Sequence, residues 1–350
     1  MAARQFRLPS YRLPVDGYVL LIVLCAATAA VIPARGIVAE GLDQGIKWVI
    51  ALLFFLYGAR LSPQAAWAGA KHWRLHLVVF AATFILFPLL GLALQPLVGA
   101  GLLSPQLYAG VILLCALPST VQSSIAFTSI ARGNVAAAIC SASVSSLIGI
   151  IITPVVVGLI LHNGGSGPLI SLHDVEKIGL QLFVPFLAGQ LSRPLTARWM
   201  ERQRKLLGYV DRGSILLVVY SAFSEGMVSG MWHQIGLSDV AVLLLVNAAL
   251  LGAMLGLTTL AARKLGFHKA DEITIVFCGS KKSLAAGLPM ATVLFPAGMV
   301  GLAVLPLMLF HQMQLMVCAA MARRYAKRPE EDTGRRPGND AGKPGTAQAA

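Results

Sequence analysis

Charge is scarce in this chain: Asp, Glu, Lys and Arg make up 12% of its 350 residues, against 57% hydrophobic. A water-soluble fold of that composition would carry more apolar surface than one core can hide, so lipid is the expected solvent for most of the chain. Its five cysteines, Cys25, Cys115, Cys140, Cys278 and Cys318, sit singly inside apolar runs. No CxxC or Cys/His spacing is available to hold zinc or build a disulfide framework, so they read as small packing residues. There is also no HExxH, no Gly-x-Gly-Asp pair and no nucleotide-binding glycine loop, which removes the parts of a metalloprotease, an intramembrane protease and an ATP-driven pump. No enzyme activity, cofactor or metal is expected, and any accumulation of solute must draw on an ion gradient. The net charge of +13 would raise the question of nucleic acid in a soluble protein. Here the basic residues fall in short stretches between apolar runs, which points to membrane topology and away from nucleic acid.

Crossing a bilayer core takes about 20 apolar residues as helix. Ten candidate runs bounded by charges, Gly or Pro follow, the sixth of them short: 17–34, 44–60, 76–97, 107–130, 134–161, 177–192, 213–231, 238–262, 272–296 and 299–322. Arg4, Arg7 and Arg12 ahead of the run from Tyr18 resemble a signal peptide. The small-residue stretch at 29–34 lies close to the next span, however, and the segment reads as an uncleaved first helix. The loops are too short for a second soluble domain. Residues 1–16 read as a cytoplasmic segment and 325–350, rich in Pro, Gly and charge, as a disordered cytoplasmic tail.

Basic residues test this count independently, because they concentrate on cytoplasmic loops. With the amino terminus inside, 23 of the 28 fall inside and three, Arg35, Lys47 and Lys177, outside. The remaining two, Lys281 and Lys282, lie within the ninth run. Both termini are then cytoplasmic, and ten spans divide into halves of five, 17–162 and 163–324. An odd-numbered unit that is repeated must insert the second time inverted, making the fourth and ninth spans counterparts.

Those two runs are also the ones interrupted by polar residues. The fourth contains Pro118, then Ser119, Thr120, Gln122, Ser123 and Ser124, with Thr128 further on. Proline removes a backbone donor and frees carbonyls. In lipid such a break is tolerated where it is buried in protein or lines a wet cavity, as at mid-membrane binding sites. The alternative is a kinked helix whose hydroxyls bond back to its own carbonyls. The ninth run, with Gly279-Ser280-Lys281-Lys282-Ser283 and then Pro289, favours the site. An unpaired charge at mid-bilayer costs several kcal/mol, and two adjacent lysines point about 100° apart on a helix. One ammonium is therefore expected to meet a protein acceptor and the other a cavity. His311, with Gln312 and Gln314, sits midway along the tenth span and reads either as a proton carrier or as an interhelical hydrogen bond. Glu225 reads equally as an interface carboxylate and as a substrate or proton site. Gln181, Pro185 and Gln190 give the sixth span a bent, polar character. The stretch 62–74 reads as an amphipathic helix on the cytoplasmic face.

Ten spans, a Pro-polar fourth run closing in Ala131-Arg132-Gly133-Asn134, and a Gly-interrupted ninth run resemble the bile acid:sodium symporter family over roughly residues 15–325. The segments Phe55–Leu61, Gly279–Ser283 and Phe310–Gln314 are most similar to its seventh-member branch, which includes bacterial proteins. The resemblance implies an all-α membrane protein of two inverted five-helix repeats in a bacterial inner membrane. It further implies a core of spans 3–5 and 8–10, in which broken helices 4 and 9 cross, beside a panel of spans 1, 2, 6 and 7. Transport would follow from relative movement of core and panel.

The departures from the family pattern carry the functional expectation. Ser123 and Ser124 stand nearest the usual Ser-Asn, two expected hydroxyl ligands fall at Ala138 and Ala142, and the family's glutamate falls at Phe277. Its Gly-x-Gln-Asn falls at Gly279, Ser280, Lys281 and Lys282. A sodium site of the usual kind is not expected, given that substitution of a phenyl and two ammonium groups. One ammonium is expected to occupy the lost sodium's place among freed carbonyls and Ser/Thr hydroxyls. The other is expected to face the crevice, attracting an anion or losing its proton during the cycle. The resulting reading is a sodium-independent carrier of a small organic anion, with protons as the coupling partner or no coupling at all. The alternatives are a cation/proton exchanger and a non-transporting regulatory subunit. The candidate translocation residues are Gln122, Ser123, Ser124, Thr128, Ser280, Lys281, Lys282, Ser283 and His311, and the candidate helix breaks are Pro118, Gly279 and Pro289.

Overall fold

Inside hydrocarbon an apolar segment satisfies its own backbone only as a helix or a closed barrel. The computed structural model describes residues 17–60, 72–163, 172–228, 230 and 235–328. Among them every regular element is helical and none is a strand. Among the described residues six helices are long and apolar enough to cross a membrane: Ile37–Arg60, Trp73–Gly99, Val135–Leu161, Lys205–Val228, Leu237–Lys264 and Ala297–Ala326. Pro105–Ala116 and Val121–Ile130, bent by 58°, make a seventh if taken as one span.

The first, sixth and ninth of the ten expected runs are helical but fall short of that standard. Gly17–Val31 has only 15 residues. Leu172–Arg202 has 31, but Gln181, Pro185, Gln190 and Arg193 interrupt its apolar stretch. The ninth run is split into Lys269–Gly279 and Leu284–Leu294 around its two lysines. Residues 1–16, the 62–71 part of the expected surface helix, and the tail from 329 lie outside the described residues. Trp73 and Arg74, placed in that surface helix by the sequence pattern, instead open the third span.

Burial separates the helices by role. Every residue from Leu107 to Ala116 is buried, as expected of a helix that is apolar all round and enclosed by protein. It packs against Ala297–Ala326 and Val135–Asn163. Gly110 permits the approach, because a Cβ there would lie 2.5 Å from the Ala303 carbonyl oxygen. In the third span an α-helix, Trp73–Ala81, passes into a π-turn, Ala82–Leu86, before Phe87–Leu92. The Phe87 N–H reaches the Ala82 carbonyl across this wide turn. The next position, Pro88, has no N–H, so the Thr83 carbonyl is left without a helical donor.

Ile37–Arg60 packs along Leu172–Arg202, and Gly17–Val31 along Arg204–Val228. Gly58 and Gly189 meet at the first crossing, where a Cβ on Gly58 would collide with the Phe186 carbonyl and one on Gly189 with the Phe55 carbonyl. Small residues of this kind let membrane helices approach backbone to backbone. Arg60 closes the end of that pair through an ion pair with Asp211 and a 3.1 Å hydrogen bond to the Leu207 carbonyl. Gly189→Ala is therefore expected to lower stability by about 1–3 kcal/mol through overpacking. Gly208→Ala, with nothing within 4 Å of the added methyl, is expected not to. Thermal unfolding of the two variants in detergent checks the difference.

Candidate functional site

A residue before proline is disfavoured in the α region, and Leu117 accordingly turns extended, at φ −64° and ψ 153°. The helix ends at Ala116 and restarts at Val121, leaving a run of carbonyls with no helical donor. Each finds one elsewhere. The Cys115 and Leu117 carbonyls accept from Lys282 Nζ, both at 2.7 Å. The Ala116 carbonyl accepts from Thr153 Oγ1 at 2.9 Å, and the Pro118 carbonyl from the Ser283 N–H at 3.0 Å. The Ser119 N–H, which an unbroken helix would direct to Cys115, donates to Ser145 Oγ at 3.0 Å.

The second break crosses the first. Its first half-helix ends at Gly279, where Ser280 Oγ donates back to the Val276 carbonyl at 2.6 Å. The second half starts after Ser283, whose Oγ accepts the Ala286 N–H as an N-cap. Between them the backbone of Lys282 is held as if in a ladder, its N–H donating to Gln314 Oε1 and its carbonyl accepting from Gln314 Nε2, both at 2.9 Å. Thr120 Oγ1 donates to the same carbonyl at 2.7 Å. Ser124 Oγ donates to the Phe277 carbonyl at 3.2 Å, tying the two crossing runs together again.

Lys281 and Lys282 are both 0% exposed, yet their surroundings differ. The ammonium of Lys282 uses all three donors on backbone carbonyls, the third being Thr83 at 2.9 Å, the group freed by the π-turn and Pro88. It also lies 4.1 Å from the centre of the Phe87 ring. Charge-assisted hydrogen bonds contribute about 1.5–3 kcal/mol each, and a lysine at the centre of a membrane helix costs about 2.5–3.5 kcal/mol, so three bonds outweigh the penalty. Lys281 has no hydrogen-bond acceptor. Its ammonium sits 3.9 Å from the centre of the Phe127 ring and 5.6 Å from that of Phe277. Such cation–π contacts contribute only about 0.5–2 kcal/mol.

Pro118, Ser124, Gly279, Ser280, Lys281, Lys282 and Ser283 thus meet at the crossing, and His311 joins it through a 2.9 Å contact between Nδ1 and Gln314 Nε2. An amide nitrogen donates only, so this His311 nitrogen is the acceptor. The contact lies within one helix, not between two. Gln122 is exposed, and Ser123 Oγ has no partner. Thr128 lies away from the crossing, its methyl against Gly133 at the corner where Asn134 Nδ2 donates to Asp271 Oδ1 at 2.8 Å. Arg132 at that corner takes a left-handed φ of 55°. Pro289 does not break its helix, contrary to the sequence expectation. The Ala285 carbonyl it deprives of a donor accepts instead from Tyr57 Oη at 3.4 Å. Sequence reasoning missed Thr83, Cys115 and Leu117, which act through backbone carbonyls, and noted Gln314 beside His311 without counting it among the translocation residues.

A separate cavity of about 300 Å³ opens between helices Ile37–Arg60 and Arg204–Val228 on one side and Leu284–Leu294 and Ala297–Ala326 on the other. Asp43, Lys47, Ser221, Ser224, Glu225 and Thr292 are its polar lining. Neither Lys281 nor Lys282 reaches it, so the ammonium expected at a crevice is here enclosed among aromatic rings.

The chain is similar over most of its length to several bacterial and animal proteins. A Pseudomonas aeruginosa protein, "Uncharacterized protein PA2026", is 54% identical over 90% of this chain and 94% of its own length. "Putative symporter YfeH" of Escherichia coli K12 is 50% identical, with the same coverage. The rat "Sodium/bile acid cotransporter 7" is 27% identical over 86% of this chain and 90% of its own length. A multi-pass membrane transporter, and not an enzyme, is what helices and relatives agree on at the family level. The family model matches residues 16–327, and the chain belongs to the SBF-like CPA transporter family.

Proposed function

We propose that this protein is a secondary carrier that moves a small organic solute by alternating access and takes no sodium. The carrying observation is the Lys282 ammonium, which occupies the helix crossing with three backbone carbonyls as its ligands. Those oxygens are the kind a sodium ion would require, and a resident positive charge both uses them and repels a second cation. The residues at the crossing do not fit a sodium site. Where the resemblance places the family's glutamate, Phe277 turns its ring toward Lys281.

Lys281 is the group we assign to proton coupling, since its ammonium has no acceptor to hold the proton in place. The packing also supports two units that move against each other. Spans 1, 2, 6 and 7 would form the panel and spans 3–5 and 8–10 the core, in ten spans and two inverted repeats. Both termini would lie on the cytoplasmic side of a bacterial inner membrane. The organic-anion reading relied on a lysine at the crevice. With both lysines enclosed, the polar lining of the cavity is the better guide to the substrate.

Purified protein in liposomes is expected to show solute uptake that follows an imposed pH step and is unchanged when sodium replaces choline. Strict sodium dependence would overturn the resident-lysine reading, and a stable complex with a partner but no flux would favour a regulatory subunit. Lys281→Ala is expected to abolish the response to the pH step. Lys282→Ala leaves three carbonyls unpaired and is expected to cost about 3 kcal/mol or more. Added sodium should then raise its unfolding temperature while leaving that of the wild type unchanged, which thermal unfolding in sodium and choline buffers checks.

A further inference from the structure

The cavity between the two helix pairs has a charge balance that an anion would not choose. Its cation, Lys47, is already paired with Asp43 at 3.0 Å, one helical turn away. That leaves the Glu225 carboxylate, which forms no ion pair among the described residues. Beside it, Ser224 is 2% exposed and its Oγ has no hydrogen-bond partner, an unmet polar group in a wall of the cavity. Across the gap Thr292 Oγ1 donates to the Pro289 carbonyl at 2.8 Å, which leaves its oxygen lone pairs to accept from a ligand. Ile46, Ile50, Val293 and Val300 supply apolar wall. At about 300 Å³ the space is at the small end of ligand pockets.

We propose that this cavity binds a small organic cation, an amine or quaternary ammonium compound, with its charged head against Glu225 and the Ser224 and Thr292 hydroxyls and its carbon body against the isoleucine and valine wall. The assignment rests on the carrier reading above and names its substrate class. An anion of the same size would meet an uncompensated, half-buried carboxylate, and a like-charge juxtaposition is unfavourable. A bare divalent metal ion would want six or more oxygen ligands. The described residues contain no group of three or more His, Cys, Asp and Glu that could supply them. The isoleucine and valine side chains of the wall suit a solute with an apolar body.

Four of the five cysteines are buried, so a thiol-reactive dye reports unfolding of the full-length protein in detergent. Butylammonium and tetramethylammonium are expected to raise the unfolding temperature saturably, and butyrate at the same ionic strength is not. Glu225→Gln is expected to weaken the amine effect at least tenfold, and Ser224→Ala to weaken it less. Stabilisation by butyrate alone, by sodium or calcium as strongly as by the amines, or an unchanged amine response in Glu225→Gln overturns the assignment. Should Glu225→Gln fail to fold, Ser221→Cys in the otherwise wild-type protein decides the matter. A trimethylammonium methanethiosulfonate should modify it at least tenfold faster, relative to free thiol, than the sulfonate reagent, and equal relative rates would overturn the proposal. Tetramethylammonium uptake into liposomes separates this inference from the carrier reading. Glu225-dependent binding without flux of any solute removes the carrier and keeps the site. Sodium-independent flux of an anion that persists in Glu225→Gln removes the site and keeps the carrier.

Discussion

A broken helix in lipid exposes peptide carbonyls where no water can solvate them, and each unpaired group costs free energy that must be met from within the protein. The crossing of the two interrupted runs is built around that requirement. The carbonyls from Cys115 to Pro118 are paired with an ammonium, a threonine hydroxyl and a backbone N–H of the opposite run. Lys282 is central because one side chain satisfies three acceptors from two spans. The π-turn at Ala82–Leu86 and Pro88 make the third of these, the Thr83 carbonyl, available at the same point.

This arrangement differs in kind from an ion site that loads and unloads. A covalently attached ammonium cannot leave, and its three carbonyl acceptors favour the protonated form. Gln314 strengthens that permanence by pairing both backbone groups of Lys282, as a neighbouring strand would. Lys281, one residue away, is buried as deeply but held only by aromatic faces. Fixed and loosely held charges therefore stand side by side, and the loosely held one suits a change of protonation. The crossing gives rigidity, while the cavity beside Glu225 lies where two helix pairs meet and movement between them would open or close it.

Much of the fold was legible in the sequence. Apolar runs bounded by charges placed helices close to where they stand, because in a bilayer hydropathy and backbone satisfaction point to the same segments. Pro118 and the Gly279–Ser283 segment located both breaks, since a proline and two charges inside apolar runs leave little else to be inferred. Pro289 was misread as a break for a tertiary reason: Tyr57, more than 200 residues away in the chain, donates to the carbonyl that this proline orphans. Gln122 and Thr128, polar residues of the same run, stand apart from the crossing, Gln122 exposed and Thr128 against Gly133.

The sequence by itself determined that the chain lives in lipid, which segments are helical, where two of them break, and that two lysines lie at the second break, because all of these depend on local composition and on the absence of water. Only the tertiary structure decided what those lysines do. Adjacent residues of one type became a saturated carbonyl ligand and an aromatic-bound ammonium because their partners, Thr83, Cys115 and Leu117 for one and Phe127 for the other, come from distant spans. Backbone carbonyls carry no residue identity, so no reading of side chains could have assigned them.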